Sequence, residues 1–108
     1  MMSNTQTIDL TTLSGTLLSG RKNGERAHKT LNVRLKEGYE IIAREDQLIT
    51  SSYFLGLIGD ELVKLASTEG SVENVISKLN LTRLNSKSKD ECIRAVRRSI
   101  SSPRSLMD

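Results

Sequence analysis

The stretch Ser52–Ser67 constrains this chain more than any other. Phe54, Ile58, Leu62 and Leu65 recur at helical spacing, and Leu55, Leu57, Val63 and Ala66 widen the same apolar face. Thr50-Ser51-Ser52 stands immediately before it, and hydroxyl side chains are the natural acceptors for the unpaired N–H groups of a first helical turn. The pattern predicts an amphipathic helix over 52–67 whose broad apolar face must be covered by other elements. Gly56 and Gly59 lie inside it, where each costs about 1 kcal/mol relative to alanine when exposed. Their expected return is a close approach of the helix to a sheet. No Gly-rich turn with a lysine precedes the helix, so a phosphate-cradling loop is not indicated.

The rest of the chain supplies candidates for that cover. Ile8–Leu10 alternates with polar residues and predicts a short strand, Thr16–Leu18 a second, and Tyr39–Ala43 a third. Arg44–Gln47 interrupts this last run, and Leu48–Thr50 resumes it. Residues 23–36 have helical character, with Asn23 as N-cap, Ala27, Leu31 and Leu35 at intervals of four, and Gly38 closing the end. Glu69-Gly70-Ser71 marks a turn. Beyond it a strand is expected within 75–84, with a short helix over 72–79 as the alternative. A last helix over 88–101 carries Cys92, Ile93, Val96 and Ile100 on one face and Arg94, Arg97 and Arg98 on the other, and Pro103 ends it.

Elements alternating in this order within 108 residues predict one α/β domain. The expected fold is a small sandwich of helices packed on a mixed sheet of four or so strands, spanning 7–102, with a disordered start at 1–6 and a tail at 103–108.

Several function classes drop out. No apolar run approaches the ~20 residues of a membrane span, and the polar first nine residues do not resemble a secretory signal. One cysteine and one histidine leave no disulfide, thiolate metal cluster or histidine-based triad to build, so no metal or cofactor is expected, and a reducing cytoplasm is the expected setting. Cys92 falls on the apolar stripe and is expected to be a buried small hydrophobe; His28 is expected at the surface or partly packed. Asp60-Glu61 is expected to be solvent-exposed rather than cation-binding. Paired acid–base residues are absent, so an enzyme is not expected.

The net charge of +3 is distributed in blocks: residues 21–36 carry +5, residues 37–73 carry −6, and residues 74–107 carry +6. Such blocks are compatible with separate faces for separate partners, or with faces that neutralise one another in the fold. Lys87, Lys89, Arg94, Arg97, Arg98 and Arg104 make the C-terminal region a candidate nucleic-acid surface, although few aromatics accompany them and no helix-turn-helix is evident.

Ser19-Gly20-Arg21-Lys22-Asn23-Gly24 opening a helix, a strand near Glu40–Ala43, and Ile49-Thr50-Ser51-Ser52-Tyr53-Phe54 running into Leu55–Leu62 together resemble the STAS-like domain family, relatives of anti-sigma-factor antagonists and sulfate-transporter domains. Leu81–Ile100 is similar to the family's last strand–helix unit, and the resemblance spans roughly 8–101. In antagonist members a serine at the start of the central helix is phosphorylated by a kinase-like partner, and the phosphate dissolves the complex. Ser51 matches that phosphoacceptor, Ser52 follows it, Thr50 stands where the family has aspartate, and Tyr53 replaces a small residue. The resemblance implies a non-enzymatic regulatory module that binds a protein partner through Thr50, Ser51, Ser52 and an exposed Tyr53, with Ser51 or Ser52 as the modified residue. A kinase-like ATPase is the implied partner class. Homodimerisation through an unpaired sheet edge stays open, as does the alternative of nucleic-acid binding.

Overall fold

The computed structural model describes residues 4–100, and Pro103, Arg104 and the expected tail lie outside that range. Strand β1 (Thr5–Asp9) leads through a single 3-10 turn (Leu10–Thr12) to β2 (Leu17–Leu18) and helix α1 (Arg21–Thr30). Strands β3 (Gly38–Ile42) and β4 (Leu48–Ile49) precede the long helix α2 (Ser51–Glu69). Helix α3 (Val72–Ser77), strand β5 (Leu79–Asn80) and helix α4 (Ser86–Ile100) complete the fold. Among the described residues, no helix is long and apolar enough to cross a membrane.

The α/β class agrees with the sequence, but the sheet does not. In place of one mixed four-stranded sheet there are two all-parallel ones: β1-β3-β5, with Ile8 opposite Ile41, and β2-β4, with Leu17 opposite Leu48. The cause lies at Arg44–Gln47. The fully buried Gln47 accepts from the Arg44 amide at 2.7 Å and donates to the Leu10 carbonyl at 2.9 Å. The Arg44 guanidinium donates to the carbonyls of Thr11 (2.9 Å), Leu13 (3.2 Å) and Gly15 (3.1 Å). These bonds pair the carbonyls of an irregular segment, including that of buried Leu10. They also divert the chain so that β4 pairs with β2 instead of extending β3.

Other boundaries differ for local reasons. Strand β1 starts at Thr5, inside the segment expected to be disordered, and Leu10 belongs to the 3-10 turn. Helix α1 begins at Arg21, so Asn23 is inside its first turn, where its side chain donates to the Ser19 carbonyl at 2.9 Å. The helix ends at Thr30, and Asn32 takes a left-handed φ of 55°. Leu35 is consequently no helical core residue but 55% exposed, and Gly38 opens β3. After Ser71, both expectations for the region are partly right: a short helix forms first and a two-residue strand follows. In the last helix the expected apolar residues face inward, with Cys92 and Val96 fully buried.

The close approach expected of the glycines in α2 occurs, against a different neighbour. A Cβ on Gly56 would stand 2.1 Å from the Arg21 carbonyl oxygen, and one on Gly24 would stand 2.1 Å from that of Tyr53. Helices α1 and α2 therefore touch backbone to backbone, and the contact is reciprocal. Gly59 meets only side-chain atoms, the nearest at 3.6 Å. Between the two glycines of α2, Ile58 departs from helical geometry (φ −137°), which kinks the helix. Phe54, Leu57, Ile58 and Leu62 are fully buried on either side of the kink.

Gly24→Ala and Gly56→Ala should each lower unfolding free energy by about 3 kcal/mol, because backbone cannot yield as a side chain can. Gly70→Ala, at an αL helix end with open space around it, should cost only about 1 kcal/mol. Denaturant titrations of the three variants test this ordering.

Candidate functional site

The start of α2 is built from three directions. Thr50 is the N-cap: its Oγ1 accepts from the Tyr53 amide at 3.3 Å and lies 3.4 Å from the Leu18 carbonyl, and the Thr50 amide donates to that carbonyl at 3.0 Å. Of the three hydroxyl residues expected to supply the cap, Thr50 does so, and it ties the helix to β2 as well. Helix α4 reaches in from the other side, where Glu91 Oε1 accepts from the Ser51 amide at 2.8 Å. A carboxylate at a helix N-terminus meets both unpaired N–H groups and the positive end of the helix dipole. Arg94 holds the other Glu91 oxygen at 3.2 Å, so the order Arg94–Glu91–Ser51 is continuous. Ser88 on the same helix is fully buried; its Oγ accepts from the Ile49 amide at 3.0 Å and donates to the Gln47 carbonyl at 3.2 Å. The Asn85 side chain caps α4 by accepting from the Ser88 amide at 2.8 Å, and also donates to the carbonyls of Glu45 and Gln47.

Within this frame Thr50 and Ser51 are half-buried, and Ser52 is exposed with its hydroxyl 3.3 Å from that of Thr50. Tyr53 corrects the sequence-based expectation. It is 3% exposed, since position 53 faces α1 at the Gly24 contact, and so it is not an exposed partner contact. Burial raises its phenol above the usual tyrosine range, which keeps it neutral.

The five candidate nucleic-acid residues that lie within the described range do not form one surface. Lys87, Arg94 and Arg98 are exposed and, at helical spacings of seven and four, share the outer face of α4 with the carboxylate of Glu91. Arg97 reaches Glu73 of α3 at 3.5 Å. Lys89 lies on another flank, beside Ile76, Leu79, Leu81 and Ile93, and Arg104 is outside the described residues. The acidic and basic blocks of the sequence thus neutralise one another in part.

A second polar pair escaped the sequence. Glu61, expected in solvent, is 8% exposed, and His28 Nε2 lies 2.9 Å from its Oε2 across the α1–α2 interface. Its Oε1 is buried without a partner. Asp60, its neighbour, is exposed as expected. The only sequence signal was an acid in an apolar helix, and its partner is 33 residues away. The same holds for Glu91 and Ser88, whose partners lie about 40 residues distant. Cys92 is buried as expected, and burial drives its thiol well above the ordinary range.

His28→Ala should cost about 2 kcal/mol, since it leaves a carboxylate buried and unpaired. The double variant His28→Leu/Glu61→Leu should recover most of that loss, because it removes both polar groups together. Equilibrium unfolding of the single and double variants compares them. Cys92 should resist iodoacetamide at pH 8 in the native protein and react promptly in denaturant, as read by mass spectrometry. In comparisons with protein-family models, curated proteins and solved structures, the chain matches none.

Proposed function

We propose that this chain is a non-enzymatic, STAS-like regulatory module that binds a protein partner around the start of α2 and is controlled by phosphorylation there. The observation that carries the reading is the arrangement at Ser51 and Ser52. Two hydroxyls stand at the positive end of a 19-residue helix, and the amide of the first is held by a carboxylate from α4. A phosphate on either serine would compete with Glu91 for the helix end and for Arg94, and so loosen the α2–α4 contact. A surface that includes Ser52 and the outer face of α4 would then differ between the two states. The partner class is the kinase-like ATPase that the family resemblance implies. Tyr53 contributes to this site by packing the first turn of α2. A protein partner is favoured over nucleic acid because two of the α4 arginines are already engaged with carboxylates.

The test is capture from the native host with the wild type and with Ser51→Asp and Ser52→Asp, with phosphosite mapping on the captured material. The expected outcome is a protein partner retained by the wild type and weakened at least about tenfold by one aspartate variant. Equal capture by all three proteins rejects the site, and recovery of nucleic acid eluted by salt replaces the reading with the alternative.

A further inference from the structure

The two strands of the small sheet have unequal outer edges. The outer edge of β4 is closed by α4: Ser88 accepts from the Ile49 amide, and Ser88 and Asn85 donate to the Gln47 carbonyl. The outer edge of β2 has no such cover among the described residues. Register Leu17↔Leu48, with the Leu48 amide donating to Thr16 and the Thr50 amide to Leu18, turns the Leu17 N–H and C=O away from β4. Residues 14–17 are exposed throughout, and Leu17 is 60% exposed, the most of any large apolar side chain described. An open strand edge with an exposed leucine is a template for another strand.

Beside that edge lies a cavity of about 380 Å³, lined by Leu13, Leu18, Ser19, Asn23, Arg26 and Tyr53 among others, and by no residue of β4. Among the described residues the Tyr53 hydroxyl has no hydrogen-bond partner, yet it is not sealed from solvent, so what the buried side chain exposes includes this polar atom. At the rim, the Arg26 guanidinium donates to Asn23 Oδ1 at 3.0 Å and makes no ion pair among the described residues. Lys22 and Lys29 adjoin it on the exposed face of α1, as does Glu25, whose carboxylate lies 4.0 Å from Arg21. Walls of mixed polar and apolar character that include Tyr53, and a mostly basic rim, stand next to an open strand edge and together suit an extended peptide.

We propose that β2 accepts an extended acidic segment of a partner protein as a third strand. The segment would pair with Leu17, place an apolar side chain in the cavity and set a carboxylate against Arg26. Main-chain pairing supplies affinity in this mode, and the alternating side chains supply specificity. Charge disfavours a second copy of this chain as the occupant, since pairing β2 with β2 would bring two sets of Lys22, Arg26 and Lys29 together. The proposal rests on the reading of the chain as a protein-binding module and adds to it a surface and a ligand chemistry.

The probe is acetyl-Glu-Val-Leu-Val-Glu-amide titrated into the 15N-labelled full chain, with the lysine-for-glutamate peptide as control. The expected result is saturable shifts of the Leu17, Ser19, Asn23 and Tyr53 amides, slower exchange of the Leu17 N–H, and at least about tenfold weaker binding of the control. Arg26→Glu, an exposed position whose loss should not unfold the protein, should reverse that preference, and Tyr53→Phe should weaken binding severalfold. Shifts confined to other surfaces, equal response to both peptides, self-association in place of binding, or no response overturns the proposal. Because capture by the Ser51 and Ser52 variants is read separately, either idea can fail while the other stands.

Discussion

The backbone contact between α1 and α2 at Gly24 and Gly56 is the constraint on which the remaining geometry depends. With a side chain at either position the helices would have to separate, since the opposing atoms are carbonyl oxygens of the facing helix. Their close approach turns Tyr53 inward, brings His28 and Glu61 within hydrogen-bond distance one turn further along, and sets the first turn of α2 beside β2. Interiors pack at crystal-like density, so a change in this one spacing would be felt across the core.

A second set of bonds holds the candidate site in place, and all of them join a side chain to a distant backbone group. Gln47 and Arg44 organise the 10–15 segment, Ser88 and Asn85 fasten α4 to the end of β4, and Glu91 takes the first amide of α2. They are small contributions individually, each worth about 1 kcal/mol net. Their larger consequence is specific: they close the β4 edge, leave the β2 edge open, and link the start of α2 to the charged face of α4. A modification at Ser51 or Ser52 and a strand added at β2 would therefore act on neighbouring parts of one structure.

Much of this was legible along the chain. The sequence predicted the central helix to within two residues at each end, a capping hydroxyl among Thr50, Ser51 and Ser52, Tyr39–Ala43 as a core strand, and the inward face of α4 with Cys92 on it. The misreadings share a cause. Leu31 and Leu35 continue the spacing of Ala27, yet the left-handed Asn32 ends the helix before them. Tyr53 was assigned to solvent on the family resemblance and Glu61 on its polarity, and neither could register that the α1–α2 contact buries position 53 or that His28 on α1 meets one Glu61 oxygen.

The sequence by itself determined the α/β class, the positions of most elements and the hydroxyl-rich start of α2, because these follow from local hydrogen-bonding and from apolar periods of two and 3.6 residues. Tertiary structure alone decided that the strands divide into two parallel sheets, that the Glu91 carboxylate occupies the start of α2, and that the open edge belongs to β2. Those outcomes depend on pairs of residues about 30 to 40 positions apart, and local pattern carries no information about which distant polar group will meet a given backbone amide.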